Sequence, residues 1–198
     1  YDIIMLVIIM RIGLDIDNVI LETDEEILKE MLIEDKNKRN RGIINNNADY
    51  IFLGMFDWSK EEIDAFLNTK MEDIAKNLKP KKDAKYYIDK LIDDGHEIYL
   101  ISNRSNKQYQ NAYLTTKKNL EVNDIKYNKL IITESNDKSK ECLDEKIDLM
   151  IDDRASNCMK LLDKNINCLL FKTKYEKRSF NNLNSVSSWH ELYEYIKN

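Results

Sequence analysis

Read for hydrophobic and polar positions, the chain alternates short apolar runs with longer amphipathic stretches. Five runs, Ile12–Ile16, Glu97–Ile101, Lys129–Ile132, Ile147–Ile151 and Asn167–Phe171, are rich in Ile and Leu and largely lack polar alternation. That is the pattern of parallel strands covered on both faces. Between them, Lys82–Asp94, Asn106–Asn119 and Ala155–Lys164 are amphipathic at helical spacing, and Gly95 stands at a C-cap position. Strands alternating with helices predict an α/β fold built on a central parallel sheet with right-handed crossovers.

From about Leu21 to Pro80 the rhythm breaks. Helical patches occur at Glu25–Glu34 and Ser59–Asn77, and Ser59-Lys-Glu-Glu62 forms a capping box that opens the second. The polar run Asp35–Asn47 reads as a loop. No convincing strand appears. The expected organisation is therefore a core domain of residues 10–20 and 81–198, with residues 21–80 as a small helical insertion after the first strand. Ile3–Met10 is an unbroken apolar run, far short of the roughly 20 residues that span a bilayer. It also lacks the basic region and small-residue cleavage site of a signal peptide. Met10 makes a natural start, so residues 1–9 are expected to be an N-terminal extension; the competing reading is a longer first strand.

Composition narrows the picture. The 198 residues include one Pro and four Gly, so no Pro- or Gly-rich linker divides the chain. The formal charge is −5 and no basic stripe stands out, so a nucleic acid polymer is not an expected partner. Cys142, Cys158 and Cys168 form no CxxC pair, and His96 and His190 lie far from them, which argues against a zinc site. Three thiols without a framework fit small core residues in a reducing cytoplasm. No membrane association is expected, and the sequence is silent on oligomeric state.

Four pieces fall at the C-terminal ends of expected strands, where ligands bind in open α/β sheets. Asp15 and Asp17 are two residues apart just past the first strand, and such a pair repels unless a cation or proton separates it. One can attack phosphorus while the other handles the leaving-group proton. The second strand ends in Ser102-Asn103-Arg104, a hydroxyl and an amide able to donate to phosphate oxygens. Lys138 is a point charge suited to an oxyanion. Asp152 and Asp153 end a further strand and suit an oxygen-rich Mg²⁺ shell. Each piece alone is weak; their order and common placement carry the case.

Asp15-x-Asp17, Ser102, Lys138 and Asp152-Asp153 resemble, in order, the four motifs of the haloacid dehalogenase superfamily. More narrowly, the chain resembles the 5′(3′)-deoxyribonucleotidase, or cytosolic C-type 5′-nucleotidase, family and its bacterial relatives. The stretches that carry this are Met10–Asp17, Phe56-Asp-Trp58-Ser-Lys-Glu-Glu, Gly95–Ser102, Lys138–Cys142, Ile147–Asp153 and Ser188-Trp189-His-Glu-Leu-Tyr. One departure is plain: the family has Gly after the second Asp, and here Asn18 stands there. Asn tolerates a left-handed backbone, so the turn can survive.

The resemblance implies a magnesium-dependent phosphomonoester hydrolase acting through an aspartyl phosphate. Asp15 is then the nucleophile and Asp17 the acid and base. Ser102, Asn103 and Lys138 bind phosphate. Asp15, the Asp17 carbonyl and Asp153 hold Mg²⁺, with Asp152 behind them orienting waters or Lys138. Lys138 rather than Lys140 takes this role because the family's lysine lies four residues before a Cys, here Cys142. The insertion becomes a cap whose aromatics, Tyr50, Phe52, Phe56 and Trp58, can stack on a base or fill the cap's own core. Trp58 sits at a helix entrance with Phe56 two residues away, so this pair is the expected specificity element. The substrate is a nucleoside 5′-monophosphate. The alternatives are another small phosphometabolite such as a phosphosugar, and a catalytically inactive binding module.

Overall fold

The computed structural model describes residues 9–175 and 183–198. Six parallel strands form one sheet: β1 (Arg11–Leu14), β2 (Glu97–Asn103), β3 (Lys129–Thr133), β4 (Leu149–Asp152), β5 (Cys168–Phe171) and β6 (Ser185–Val186), in the order β3-β2-β1-β4-β5-β6. The strands β1, β4 and β5 are almost wholly buried, which is what their unbroken apolar runs require. Gly13 shows how tightly β1 is covered. A Cβ there would meet the Met150 sulfur at 2.6 Å.

Helices α3 (Ala84–Asp93), α4 (Ala112–Val122), α5 (Ser139–Asp144), α6 (Ala155–Leu162) and α7 (Trp189–Lys197) lie between or after the strands. The central strand β1 has β2 on one side and β4 on the other. The chain reverses direction across the sheet at this point, so loops after β1, β2 and β4 converge at one crevice. Gly95 ends α3 at φ 95°, and the His96 amide reaches back to the Leu91 carbonyl, the helix stop expected there.

Between β1 and α3 run α1 (Thr23–Lys38) and α2 (Lys60–Asn77), packed on each other, with α2 also against α4. The Ser59–Glu62 capping box forms in full. The connections into and out of this segment run side by side: the Lys81 amide donates to the Ile20 carbonyl and the Glu22 amide to the Lys79 carbonyl. Asp35–Asn47 is not all loop, because α1 runs on to Lys38. Asp35 accepts from the Arg41 and Gly42 amides, which ties the polar turn to the helix end.

Other boundaries shift for local reasons. The fourth helix starts at Ala112 rather than Asn106, since Asn111 caps it through the Leu114 amide and Tyr109 is buried ahead of it. The short α5 and β6 and the amphipathic α7, capped by Ser188, were not among the expected elements. The extension expected over residues 1–9 lies, apart from Ile9, outside the described residues. All three cysteines are buried and unpaired. His96 is buried and accepts from the Met10 amide, and His190 lies within hydrogen-bonding distance of the Tyr87 hydroxyl. Among the described residues no helix is long and apolar enough to cross a membrane.

Candidate active site

At the C-terminal ends of β1 and β4 three carboxylates meet. Asp15, Asp152 and Asp153 are all buried and each offers an oxygen within 4.8 Å of the others. Asp15 follows β1 directly, and its amide donates to the Ile151 carbonyl on β4, so the two strand ends are locked in register. Lys138, entering α5, is buried between the acids: its Nζ lies 3.0 Å from Asp15 Oδ1 and 2.7 Å from Asp152 Oδ2. Placing a full charge there is costly unless it is paired, and these two carboxylates hold the ammonium firmly protonated against its burial.

One buried cation does not balance three buried acids. Burial pushes the Asp15 carboxyl up to about 6; Lys138 opposes this, while Asp152 and Asp17 add to it. Asp153 is also raised, first by burial and then by Asp152, against the pull of Arg154. A hard divalent cation would relieve this crowding, and the three acids offer it an all-oxygen set. The two strand-end acids differ in what remains available. Asp152 takes Lys138 and Asn157 on Oδ2, and the Arg154 amide and Asn157 on Oδ1. Asp153 accepts only from the Asn18 amide, on Oδ2, among the described residues. Asp153 is thus the acid with an oxygen left for an ion.

Asp17 is not one of the three clustered acids. Its Oδ1 accepts from Thr23 Oγ1 at 2.6 Å and from Arg104 at 2.8 Å, while Oδ2 has a single long contact, 3.4 Å, from Ser102. Ser102 is buried at the end of β2, near enough to Asp15 to favour its carboxylate form slightly. Asn103 is partly exposed, and its amide donates to Asn136 Oδ1. Of the residues singled out from sequence, Asp15, Asp17, Ser102, Lys138, Asp152 and Asp153 therefore share one crevice, with Asn103 at its rim.

Phe56 and Trp58 lie elsewhere in the packing. They are 4% and 9% exposed and pack against each other, with Trp58 also edge-on to Phe66; the Trp58 indole donates to Asp35. Arg39 lies over the Trp58 ring at 5.1 Å, and the small cavity beside Trp58 is lined by Arg39 and residues of α1 and α2, not by the clustered acids. The aromatic of the insertion that faces the crevice is Tyr50. Its hydroxyl donates to Asp24, Arg154 lies over its ring at 4.1 Å, and burial and then the Asp24 charge raise its phenol pKa, with Asp153 adding to them against Arg154. Residues not anticipated at the site are Thr23, Asp24, Arg104 and Asn157. Only Arg104 carried a signal, as part of the Ser-Asn-Arg strand end.

The departure at Asn18 is accommodated. It adopts φ 61°, the left-handed turn that Gly would supply, and its side chain links Asp153 to the Asp24 amide at the start of α1.

A parallel sheet in this order, with acids and a lysine gathered at its switch point, is the arrangement of the haloacid dehalogenase fold. Solved structures of that class share the fold. A hydrolase of this type from Bacillus subtilis, determined bound to magnesium, is 15% identical with a TM-score of 0.63, covering 95% of this chain and 98% of its own. Another from Geobacter sulfurreducens is 10% identical with a TM-score of 0.62, covering 95% and 96%. A third from Xanthomonas campestris is 9% identical with a TM-score of 0.60, covering 96% and 95%. No curated protein matches the chain. The model of the family described as 5′ nucleotidase, deoxy (Pyrimidine), cytosolic type C protein matches residues 9–198, and the chain belongs to that family. It is an enzyme of the phosphoric monoester hydrolase class.

Proposed function

We propose that the enzyme is a magnesium-dependent 5′-nucleotidase that hydrolyses (deoxy)nucleoside monophosphates through a phosphorylated Asp15. The observation that carries this is the buried Asp15–Asp152–Asp153 cluster with Lys138 against Asp15. It supports reading Asp15 as a carboxylate nucleophile, Lys138 as an electrostatic partner for phosphate and the acids as an oxygen-only cation site. Family membership supports nucleotides as the substrate class.

In this reading Asp15 attacks phosphorus in line, the P–O bond to the leaving alcohol breaks, and Asp17 delivers a proton to that oxygen. Asp17 then removes a proton from water as the water oxygen attacks the Asp15 phosphoryl group, which returns Asp15 as carboxylate and releases phosphate. Lys138 and Ser102 bind equatorial phosphoryl oxygens, where charge accumulates, and Asn103 borders them. Asp15, the Asp17 carbonyl and Asp153 would hold Mg²⁺, which would supply neutralising charge beside the phosphate. Asp152 keeps Lys138 in place. Residues 21–80 act as the cap that shields the reaction from water. The compartment is the cytoplasm.

Hydrolysis of a panel of nucleoside 5′-monophosphates and phosphosugars, with Mg²⁺ and with excess chelator, tests the reading. The expected result is turnover of nucleotides in preference to phosphosugars, lost on chelation. A preference for phosphosugars overturns the substrate class, and undiminished turnover of chelator-treated enzyme removes the metal.

A further inference from the structure

Arg104 is a buried cation whose role the roles proposed above leave open. Its side chain is 1% exposed, it sits just past β2, and among the described residues its only carboxylate partner is Asp17, 2.8 Å away. The guanidinium also donates to Thr116 and lies 5.7 Å from the centre of the Tyr109 ring, while its Nε is buried without a hydrogen-bond partner. A cation held this way, with one donor unmet, is an expensive means of joining a loop to a sheet.

The distribution of donors over Asp17 is asymmetric. Both strong contacts, from Arg104 and from Thr23 at the start of α1, fall on Oδ1. Among the described residues Oδ2 receives only the 3.4 Å contact from Ser102. One oxygen is anchored and the other is left with a single long contact.

We propose that Arg104 and Thr23 form a two-point clamp on Asp17 Oδ1 that reserves Oδ2 for proton transfer. They are positioning residues, and the inference rests on the phosphatase reading of the site. The Oδ2 proton passes to the leaving oxygen as its bond to phosphorus breaks, and Oδ2 later accepts a proton from the attacking water. A carboxylate free to rotate presents Oδ2 in a fraction of its orientations and wastes the rest.

The test uses leaving groups that differ in their need for a proton. A p-nitrophenolate departs unaided, whereas an alkoxide such as a nucleoside 5′-oxygen must be protonated. With Arg104→Gln and Thr23→Val, kcat/KM on a nucleoside monophosphate and on a simple alkyl phosphate should fall by about 10²-fold or more, the scale of general acid catalysis. On p-nitrophenyl phosphate it should stay within about tenfold of wild type, since that departure forgoes the same assistance. Arg104→Lys should recover part of the loss on the alkyl esters. Thr23→Val is nearly isosteric, so it reads the clamp even if Arg104→Gln does not fold. Equal losses on both ester types in both variants, or none, would overturn the clamp. A wild-type enzyme that hydrolyses neither ester would instead overturn the proposed function.

Discussion

At the residue scale, the chemistry-bearing positions were legible because strand ends in a parallel sheet leave few places for polar side chains. Asp15, Ser102 and Asp152-Asp153 each interrupt or end an apolar run, and the fold brings them together. Thr23, Asp24 and Asn157 were not legible, because ordinary polar residues near helix starts look the same whether or not they touch a site. Asn18 is intermediate. Its identity suggests a left-handed turn, but its contact with Asp153 depends on tertiary placement. Asn18→Gly should keep the turn and fold normally. Asn18→Val forces a β-branched side chain to positive φ and should cost about 1–3 kcal/mol in urea denaturation; equal stability of the two variants would count against strain at this position. The raised Asp15 carboxyl gives a pH signature. Below about 6 the metal-free enzyme carries a proton there that an incoming cation must displace. Mg²⁺ affinity measured by calorimetry should therefore weaken by at least about tenfold per pH unit below that point, and more where the raised Asp153 carboxyl is also protonated. Affinity independent of pH from 5 to 8 would separate Asp15 from the ion.

At the element scale, strands announced themselves through uninterrupted burial, and the capping box fixed the start of α2. Elements whose signals are short were missed. The strand β6 has two residues and the helix α5 six, too few for a period to register. The insertion's aromatics illustrate a different limit: sequence places Phe56 and Trp58 near a helix entrance but does not say which side they face. Both are core, with Trp58 bonded to Asp35 and packed on Phe66. Phe56→Ala should lower stability by about 3–5 kcal/mol, the usual cost of emptying a buried aromatic site. Any loss of kcat/KM at a permissive temperature should be equal on a nucleotide and on an ester without a base. A loss confined to the nucleotide would return the ring to substrate recognition.

At the scale of the whole molecule, the alternation of strands and helices gave the sheet and its parallel sense, but not the position of β6 at its edge. The insertion's entry and exit lie side by side, bonded through Ile20, Glu22, Lys79 and Lys81. Paired connections of this kind let one unit sit over the strand ends while the sheet stays rigid, which suits a cap. All of this geometry serves one chemical claim, that Asp15 becomes transiently phosphorylated. The most direct measurement is peptide mass spectrometry after rapid acid quench of turnover with p-nitrophenyl phosphate and Mg²⁺, using Asp17→Asn to slow hydrolysis of the intermediate, because p-nitrophenolate leaves without the proton that Asp17 supplies. The account predicts added mass of one phosphoryl group on the peptide bearing Asp15. It further predicts that Asp15→Asn shows no such mass and loses at least about 10³-fold in rate. Undiminished turnover by Asp15→Asn, or phosphate found on another residue, would contradict it.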